Sequence, residues 1–448
     1  MKVRKFMNPV KFYLLTDTHY FEESLGVEGK AFEDYMQKEQ YFMKGSSAII
    51  KSVFNRVAED TETDIVIIPG DLSKNGELES HKSLIKELYK LRESGKKIFV
   101  ITAGHDYGDA FAFKNDQWID VEGTPFDALT EMYKDFGHGD ALAFDEPTHS
   151  YMAQITDNVR MLAICCDSEN QPKGAMDDRL MSWAKEQLDK ANADNCSVFA
   201  ICHYPIIPPV PVFDLVGDTK VKEWRKVASF LADNGVELVL TGHMHIQSIN
   251  EFYSESGNRL IDVCTACLVG SPAKYRKITV DENSTLNIET LDVGDFDGVP
   301  EGVDVQEYFD NQFRNSIVIR VTRALDGGKG IVKYLKKCGK KFVLTGKVGT
   351  LGRILFIRLD KSLKNKKIKD LIGEVGLAIF MGDMPCVEGT PIHTALFKVL
   401  KRFSFILKKV EPKLQKGDVK IDLKDMLLNT VGNNKGYSDN NAKFQLKK

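Results

Sequence analysis

Long apolar runs are missing from this chain. Leu371 to Phe380 is short and carries Glu374, so it does not reach the ~20 residues that span a bilayer. The start, MKVRKFMNPVKFYLLTD, is basic like an export signal, but its apolar run Phe12 to Leu15 is too short to serve as one. Cysteine is also sparse. Eight in 448 residues, with Cys165 beside Cys166 and a Cys264-Thr265-Ala266-Cys267 run, make no regular disulfide framework. A soluble, cytoplasmic protein in a reducing compartment is expected. No charge of one sign dominates the whole, because the net charge is −3. Its distribution is uneven, however: residues 301–448 hold 30 Lys and Arg against 15 Asp and Glu, and residues 1–300 hold 31 against 49. Two uses of that contrast are open. The basic part can dock on its acidic neighbour, or it can meet phosphate or lipid head groups.

What is present is a rhythm. With 43% apolar residues the chain has material for more than one core, and two domains are expected. The strand-like Lys11 to Leu15 is followed by a helical period over Ser46 to Ala58. Asp64 to Ile68, Glu77 to Arg92 and Lys97 to Ile101 continue the alternation, as do Ser197 to Cys202, Val221 to Asn234 and Glu237 to Leu240. This is α/β patterning. Tyr151 to Thr156 with Val159 to Cys165 reads as a strand pair, and Gln247 to Tyr253, Leu260 to Cys267, Tyr275 to Val280 and Leu286 to Leu291 read as a meander, which suggests sheet packed on sheet. Near residue 300 the texture turns Lys-rich and helical, as in Ile331 to Lys337 and Ala395 to Lys409. That change places a boundary between a catalytic domain, 1–300, and a basic, mostly helical domain, 301–448. The stretch Asn433 to Asn441, rich in Asn, Gly and Ser, reads as mobile.

Five short motifs each follow a predicted strand: Asp17-Thr18-His19, Gly70-Asp71, Gly104-His105-Asp106, Cys202-His203 and Gly242-His243-Met244-His245. Loops at the carboxyl ends of strands converge in α/β sheets, so ligands distant in sequence can meet there. Residues two apart in extended backbone point the same way. Asp17 with His19, and His243 with His245, can therefore each present a pair. Carboxylate and imidazole together suit Zn, Mn or Fe better than Ca, which prefers oxygen alone. Five of only nine histidines fall in these motifs.

Other features carry blander readings. Cys264 and Cys267 are expected as buried strand thiols, and His81 as an exposed or capping helical residue. His138, His149 and His393 lack ligand-spaced companions. The aromatics Phe111, Phe113 and Trp118 either wall a pocket or pack a core. Ser271 to Arg276 reads as a solvated turn before it reads as a phosphate contact. Phe397, Leu400, Phe403 and Leu407 give Ala395 to Lys409 one apolar face, for packing against neighbours or for lying on an anionic membrane surface.

Taken in order, Asp17-x-His19, Gly70-Asp71, His105-Asp106, His203 and Gly242-His243-x-His245 resemble the calcineurin-like metallophosphoesterase family, over about residues 10 to 290. Within it the chain resembles the class III cyclic-nucleotide phosphodiesterases, whose bacterial members can carry an added helical C-terminal domain. The resemblance implies a two-sheet β-sandwich flanked by helices and a dinuclear site. In that site Asp17, His19 and His245 hold one ion, His203 and His243 the other, and Asp71 bridges both. It further implies attack by a metal-bridging hydroxide, His105 as general acid and Asp106 as the residue holding its imidazole, with a loop carboxylate capping a turn as the alternative for Asp106. The implied substrate is a small phosphoester, a diester of cyclic-nucleotide type before a protein phosphate. A nuclease of the same superfamily is the alternative, disfavoured by the acidic catalytic part. One position departs from the family pattern. Gly104 stands where an Asn ligand is usual, which implies a weaker second site and gives a further alternative, a metal-binding scaffold with weakened catalysis.

Overall fold

Residues alternate in the direction they are buried from the first strand onward. In β1 (Val10–Leu14), Val10, Phe12 and Leu14 enter one apolar core while Tyr13, followed by Leu15, enters another. That is the period-two pattern of a strand covered on both faces. The computed structural model describes residues 9–168, 172–299, 302–324, 332–414 and 421–447. The basic start, residues 1–8, and the expected boundary at residues 300 and 301 lie outside them.

β2 (Ile65–Pro69) pairs in parallel with β1 and with β3 (Lys97–Ile101). Parallel neighbours need crossovers, and the helices Ser46–Glu59 and Leu78–Glu93 supply them. They lay Ile49, Ile50 and Val53, then Leu84, Leu88 and Leu91, against the outer face of this sheet. After the hairpin β4 (Phe111–Lys114) and β5 (Gln117–Asp120), a second sheet forms. It comprises β6 (Ala143–Asp145), β7 (Ser150–Thr156), β8 (Val159–Ile164), β9 (Ser197–Cys202), β10 (Leu238–Thr241), β11 (Ser248–Tyr253) and β12 (Arg259–Cys264), in the order β11-β12-β10-β9-β8-β7-β6.

Helices Asp178–Ala193 and Trp224–Asp233 cover its outer face. The first starts where the Asp177 carboxylate accepts the Leu180 N–H at 2.8 Å and then buries Leu180, Ala184 and Leu188 at four-residue spacing. Between the sheets Phe12 stacks on Phe199, centroids 5.3 Å apart. Each such fully buried side chain contributes roughly 1.5–3 kcal/mol relative to exposure. The result is the expected helix, sheet, sheet, helix layering.

Two expectations are corrected. The four strands read as one meander divide between the sheets: β11 and β12 pair with each other, whereas β13 (Lys274–Val280) and β14 (Thr285–Asp292) join the first sheet, β13 lying against β1. Apolar alternation marks a strand but not its partner, so sequence order stood in for pairing. The second correction concerns the end of the chain. β15 (Ala442–Gln445) pairs with β14 and completes the order β15-β14-β13-β1-β2-β3. The Asn-rich stretch before it is tied down: Asp439 is fully buried and its carboxylate accepts from the Ile249 N–H and the Lys435 ammonium. Arg276, also fully buried, donates to the carbonyls of Cys264, Asp439 and Asn440 and to the hydroxyls of Thr265 and Thr290. It is neither a solvated turn residue nor a phosphate contact.

The region after residue 302 is helical and packs closely on the sandwich. Helix Val305–Ala324 buries Phe309 and Phe313, which meet Phe42 and Phe296 on one side and Phe380 of helix Ile368–Met381 on the other. The chain thus leaves the α/β layers as helices and returns as a strand. No helix among the described residues is long and apolar enough to cross a membrane.

Candidate metal centre

β1, β2 and β3 run parallel in one sheet and β8, β9 and β10 in the other, so the motifs at their carboxyl ends gather at one edge of the sandwich. The turns there are tight. Asp17, His19, Asp71, His243 and His245 all take positive φ, between 36° and 65°. Such backbone is costly for non-glycine residues and persists where the surroundings over-determine it. The Asp17/His19 and His243/His245 pairs are therefore not presented from extended backbone as expected. The consequence is a division: His243 and His245 turn to different groups.

One group is Asp17, His19 and His245, and the other is Asp71, His203 and His243. In the first, the His245 Nε2 lies 3.2 Å from both His19 Nε2 and Asp17 Oδ1. The His243 N–H holds both oxygens of Asp17 at 3.1 Å, an approach that requires Gly242, because a Cβ there would stand 2.3 Å from Asp17 Oδ2. In the second, His203 Nε2 lies 3.1 Å from Asp71 Oδ2 and 3.2 Å from His243 Nδ1. Gly70 makes the turn into Asp71 with φ of 92°. The same Asp71 Oδ2 is 3.6 Å from His19 Nε2, so one carboxylate oxygen faces both groups. Its other oxygen accepts the His105 N–H at 3.2 Å.

The tautomers in the second group follow from carbonyl partners. His203 Nδ1 donates to the Pro69 carbonyl at 2.9 Å and His243 Nε2 to the Asp218 carbonyl at 2.7 Å. The nitrogens left facing each other are then lone pairs, beside the Asp71 carboxylate. Two lone pairs and an anion at this range call for a cation, either a proton or a metal ion. In the absence of a metal the proton goes to His203: burial opposes its charge, but Asp71 outweighs burial and pushes it up to about 10. Burial, aided by His203, pulls His243 down to about 4. Burial also works against the charge on Asp71, yet His203, His105 and His19 hold its carboxyl well below the usual range. This donor set, buried and converging, fits two small multivalent cations.

His105 sits beside both groups, its ring edge-on to His19 at 5.1 Å. The expected partner, Asp106, does not touch that ring. Its carboxylate turns inward to accept the N–H groups of Ala103 at 2.8 Å and Ser73 at 2.9 Å. Burial first, and then the charge of Asp71, pushes it up. Consecutive residues of a turn face different ways, and Asp106 spends its oxygens on bending the loop. Asn75 takes the expected role instead: its Nδ2 donates to the Asp109 carbonyl, leaving Oδ1 to accept from His105 Nδ1 at 3.1 Å.

Sequence reasoning missed further residues. Lys74 is buried, with its ammonium 4.7 Å from the centroid of Tyr41, whose ring packs on His19 at 4.2 Å and on His245 at 5.3 Å. Tyr204 lies against His243 at 4.0 Å. His81 is neither exposed nor a cap. It is fully buried, and its ring meets the Tyr133 hydroxyl and the Asp106 carbonyl, supporting the loop that carries His105. Lys74 and Asn75 follow Asp71 within four residues in the same post-strand loop, and that nearness was the available signal. Cys264 and Cys267 are buried free thiols, and His149 stacks on Phe126. Phe111 and Phe113 pack with Phe21 and Phe32 in the core, and the Phe111 ring also faces the Lys74 ammonium at 5.8 Å.

Comparison with known proteins gives one sequence match. The calcineurin-like phosphoesterase family model covers residues 10–247. No curated protein matches the chain. Solved structures of similar shape include a dimetal phosphatase from Danio rerio, 12% identical with a TM-score of 0.45, over 64% of this chain and 97% of that one. A purple acid phosphatase from yellow lupin (Lupinus luteus) seeds is 11% identical with a TM-score of 0.39, over 64% and 52%. The NAD nucleotidase of Haemophilus influenzae is 10% identical with a TM-score of 0.34, over 75% and 60%.

Proposed function

Since this chain belongs to the calcineurin-like phosphoesterase family, whose model spans more than half of it, we propose that the gathered side chains hold two transition-metal ions and that the protein hydrolyses a small phosphoester. Asp17, His19 and His245 would hold one ion, His203 and His243 the other, with Asp71 shared. Mixed imidazole and carboxylate donors favour manganese, iron or zinc. Two such ions, when bound, acidify an attacking water and polarise the phosphoryl oxygens. The observation that carries this reading is Asp71 Oδ2, within 3.6 Å of an imidazole nitrogen from each group.

The protein's own residues supply the rest. With Nδ1 engaged by Asn75, His105 keeps Nε2 for delivering a proton to the leaving alkoxide. Burial lowers the affinity of His105 for that proton, which eases its release. Lys74, whose charge burial opposes while Glu39, Glu77 and Asp71 support it, acts on both His19 and His105 and, when charged, would draw an anionic ester inward.

The finer reading is a phosphodiester of cyclic-nucleotide type, supported by the motif order and by an acidic sandwich ill-suited to a long polyanion. Lys74 favours a second reading, a phosphomonoester dianion, because a fixed cation rewards the extra charge. The test is elemental analysis of the purified protein together with turnover of matched alkyl and aryl monoesters and diesters. Bound metal with diester turnover supports the first reading and metal with monoester turnover the second. Bound metal without turnover of any ester would leave a metal-binding scaffold.

A further inference from the structure

The second group contains a gap and a filler. Gly104, at the exit of β3, contributes no side chain beside Asp71, although the next residue, His105, bonds Asp71 through its backbone N–H. A Cβ built on Gly104 would stand 3.2 Å from Asp167 Oδ2, with the Lys173 ammonium 3.3 Å away. Asp167 comes from the other sheet, three residues past the end of β8. It is 1% exposed, and neither carboxylate oxygen closes a hydrogen bond of ordinary geometry among the described residues, although the Gly174 backbone N–H and the Lys173 ammonium both act on it. The two loops are tied where they meet: the Cys165 thiol lies 3.2 Å from the Thr102 carbonyl and 3.1 Å from the carbonyl of Asp167 itself.

A buried carboxylate without a donor is expensive, costing several kcal/mol in typical proteins unless it is paired or bound to a cation. Its charge acts on His203 and Asp71, and it stands beside Gly104 just outside the cluster formed by the ligand atoms of Asp71, His203 and His243. Lys173 approaches the same opening from the exposed surface but forms no hydrogen bond to it. We propose that Asp167 is a protein ligand of the second metal position, occupying from β8 the room that a side chain at Gly104 would otherwise take. This rests on the two-metal reading above. It makes the second group Asp71, His203, His243 and Asp167, four protein donors in place of three. A residue larger than glycine at 104 would require the Asp167 carboxylate to give by a few tenths of an ångström.

The test is calorimetric titration of chelator-stripped full-length protein with Mn²⁺, and thermal melting with and without the ion. For Asp167→Ala the first ion should bind as in the wild type and the second on the order of tenfold to a hundredfold more weakly. Its metal-free melting temperature should equal or exceed that of the wild type, because an unpaired buried charge has gone, while the gain on adding Mn²⁺ shrinks. Adding Gly104→Asn to Asp167→Ala should restore the second affinity, since the amide then enters the vacated room. If Asp167→Ala does not fold, Asp167→Asn, which keeps an oxygen but loses the charge, must still show a weaker second site. Two ions bound with unchanged affinity in the alanine variant, or in the asparagine variant where only that one folds, would overturn the assignment of Asp167 and leave the two-metal reading standing. A wild type that takes up fewer than two ions would overturn both.

Discussion

The two halves of the candidate metal centre are built differently. Asp17 and His19 are fully buried, His245 is 5% exposed, and Tyr41 packs on both imidazoles. Those residues come from the ends of β1 and β10, and the backbone N–H of His243 clamps Asp17. The second half has a partly exposed His243 and imidazoles oriented through single carbonyl bonds. A closed, clamped half suits an ion that stays. An open half suits the ion that meets the substrate, as catalytic metal sites keep a position free.

The largest expected effect comes from removing what joins the halves. Asp71→Asn should cut hydrolysis by at least about a hundredfold and lower the bound metal below two ions, while circular dichroism remains that of the folded protein. Unchanged turnover would mean that the two groups do not share a ligand. Next is His105→Ala. It should slow esters with alkyl leaving groups by about 10²–10⁴-fold and activated aryl esters far less, because only the former require a proton donor. Equal losses for both would remove His105 from the acid role.

Asn75→Ala should have a smaller effect in the same direction, on the order of tenfold on alkyl esters with KM little changed, since the imidazole stays but its orientation loosens. A KM effect alone would point to substrate contact instead. The smallest effect on chemistry should come from the far end of the chain. Phe444→Ala in β15 should cost about 3–5 kcal/mol of stability by emptying a site between the sheets, yet leave metal stoichiometry intact. Chemical denaturation with metal analysis of the folded variant checks both halves of that statement.

How much of this was legible in the sequence depends on distance along the chain. Each metal-group residue sits in a contiguous motif directly after an apolar strand, so local pattern and the strand-end rule were enough to single out all six. For Asp106 the resemblance supplied a partnership with His105, whereas its carboxylate caps the loop, the alternative reading, and Asn75, thirty residues before His105, holds the ring. Asp167 was equally placed by the strand-end rule, immediately past Val159 to Cys165, but a lone Asp-Ser after two cysteines has no motif to announce it. Only the tertiary approach to Gly104 gives it meaning. β15 was missed because the alternation of Ala442, Phe444 and Leu446 is too short to stand out beside an Asn-rich stretch, and its place is fixed by pairing with β14 and by Phe444 entering the core.

The comparison between the halves and the proposed chemistry meet in a single measurement: turnover of an aryl phosphoester by chelator-stripped protein as Mn²⁺ is added, with bound metal counted at each step. The two-metal account predicts little activity through the first equivalent and a rise that follows the second, weaker one. Full turnover with one ion bound, or turnover indifferent to chelation, would contradict it.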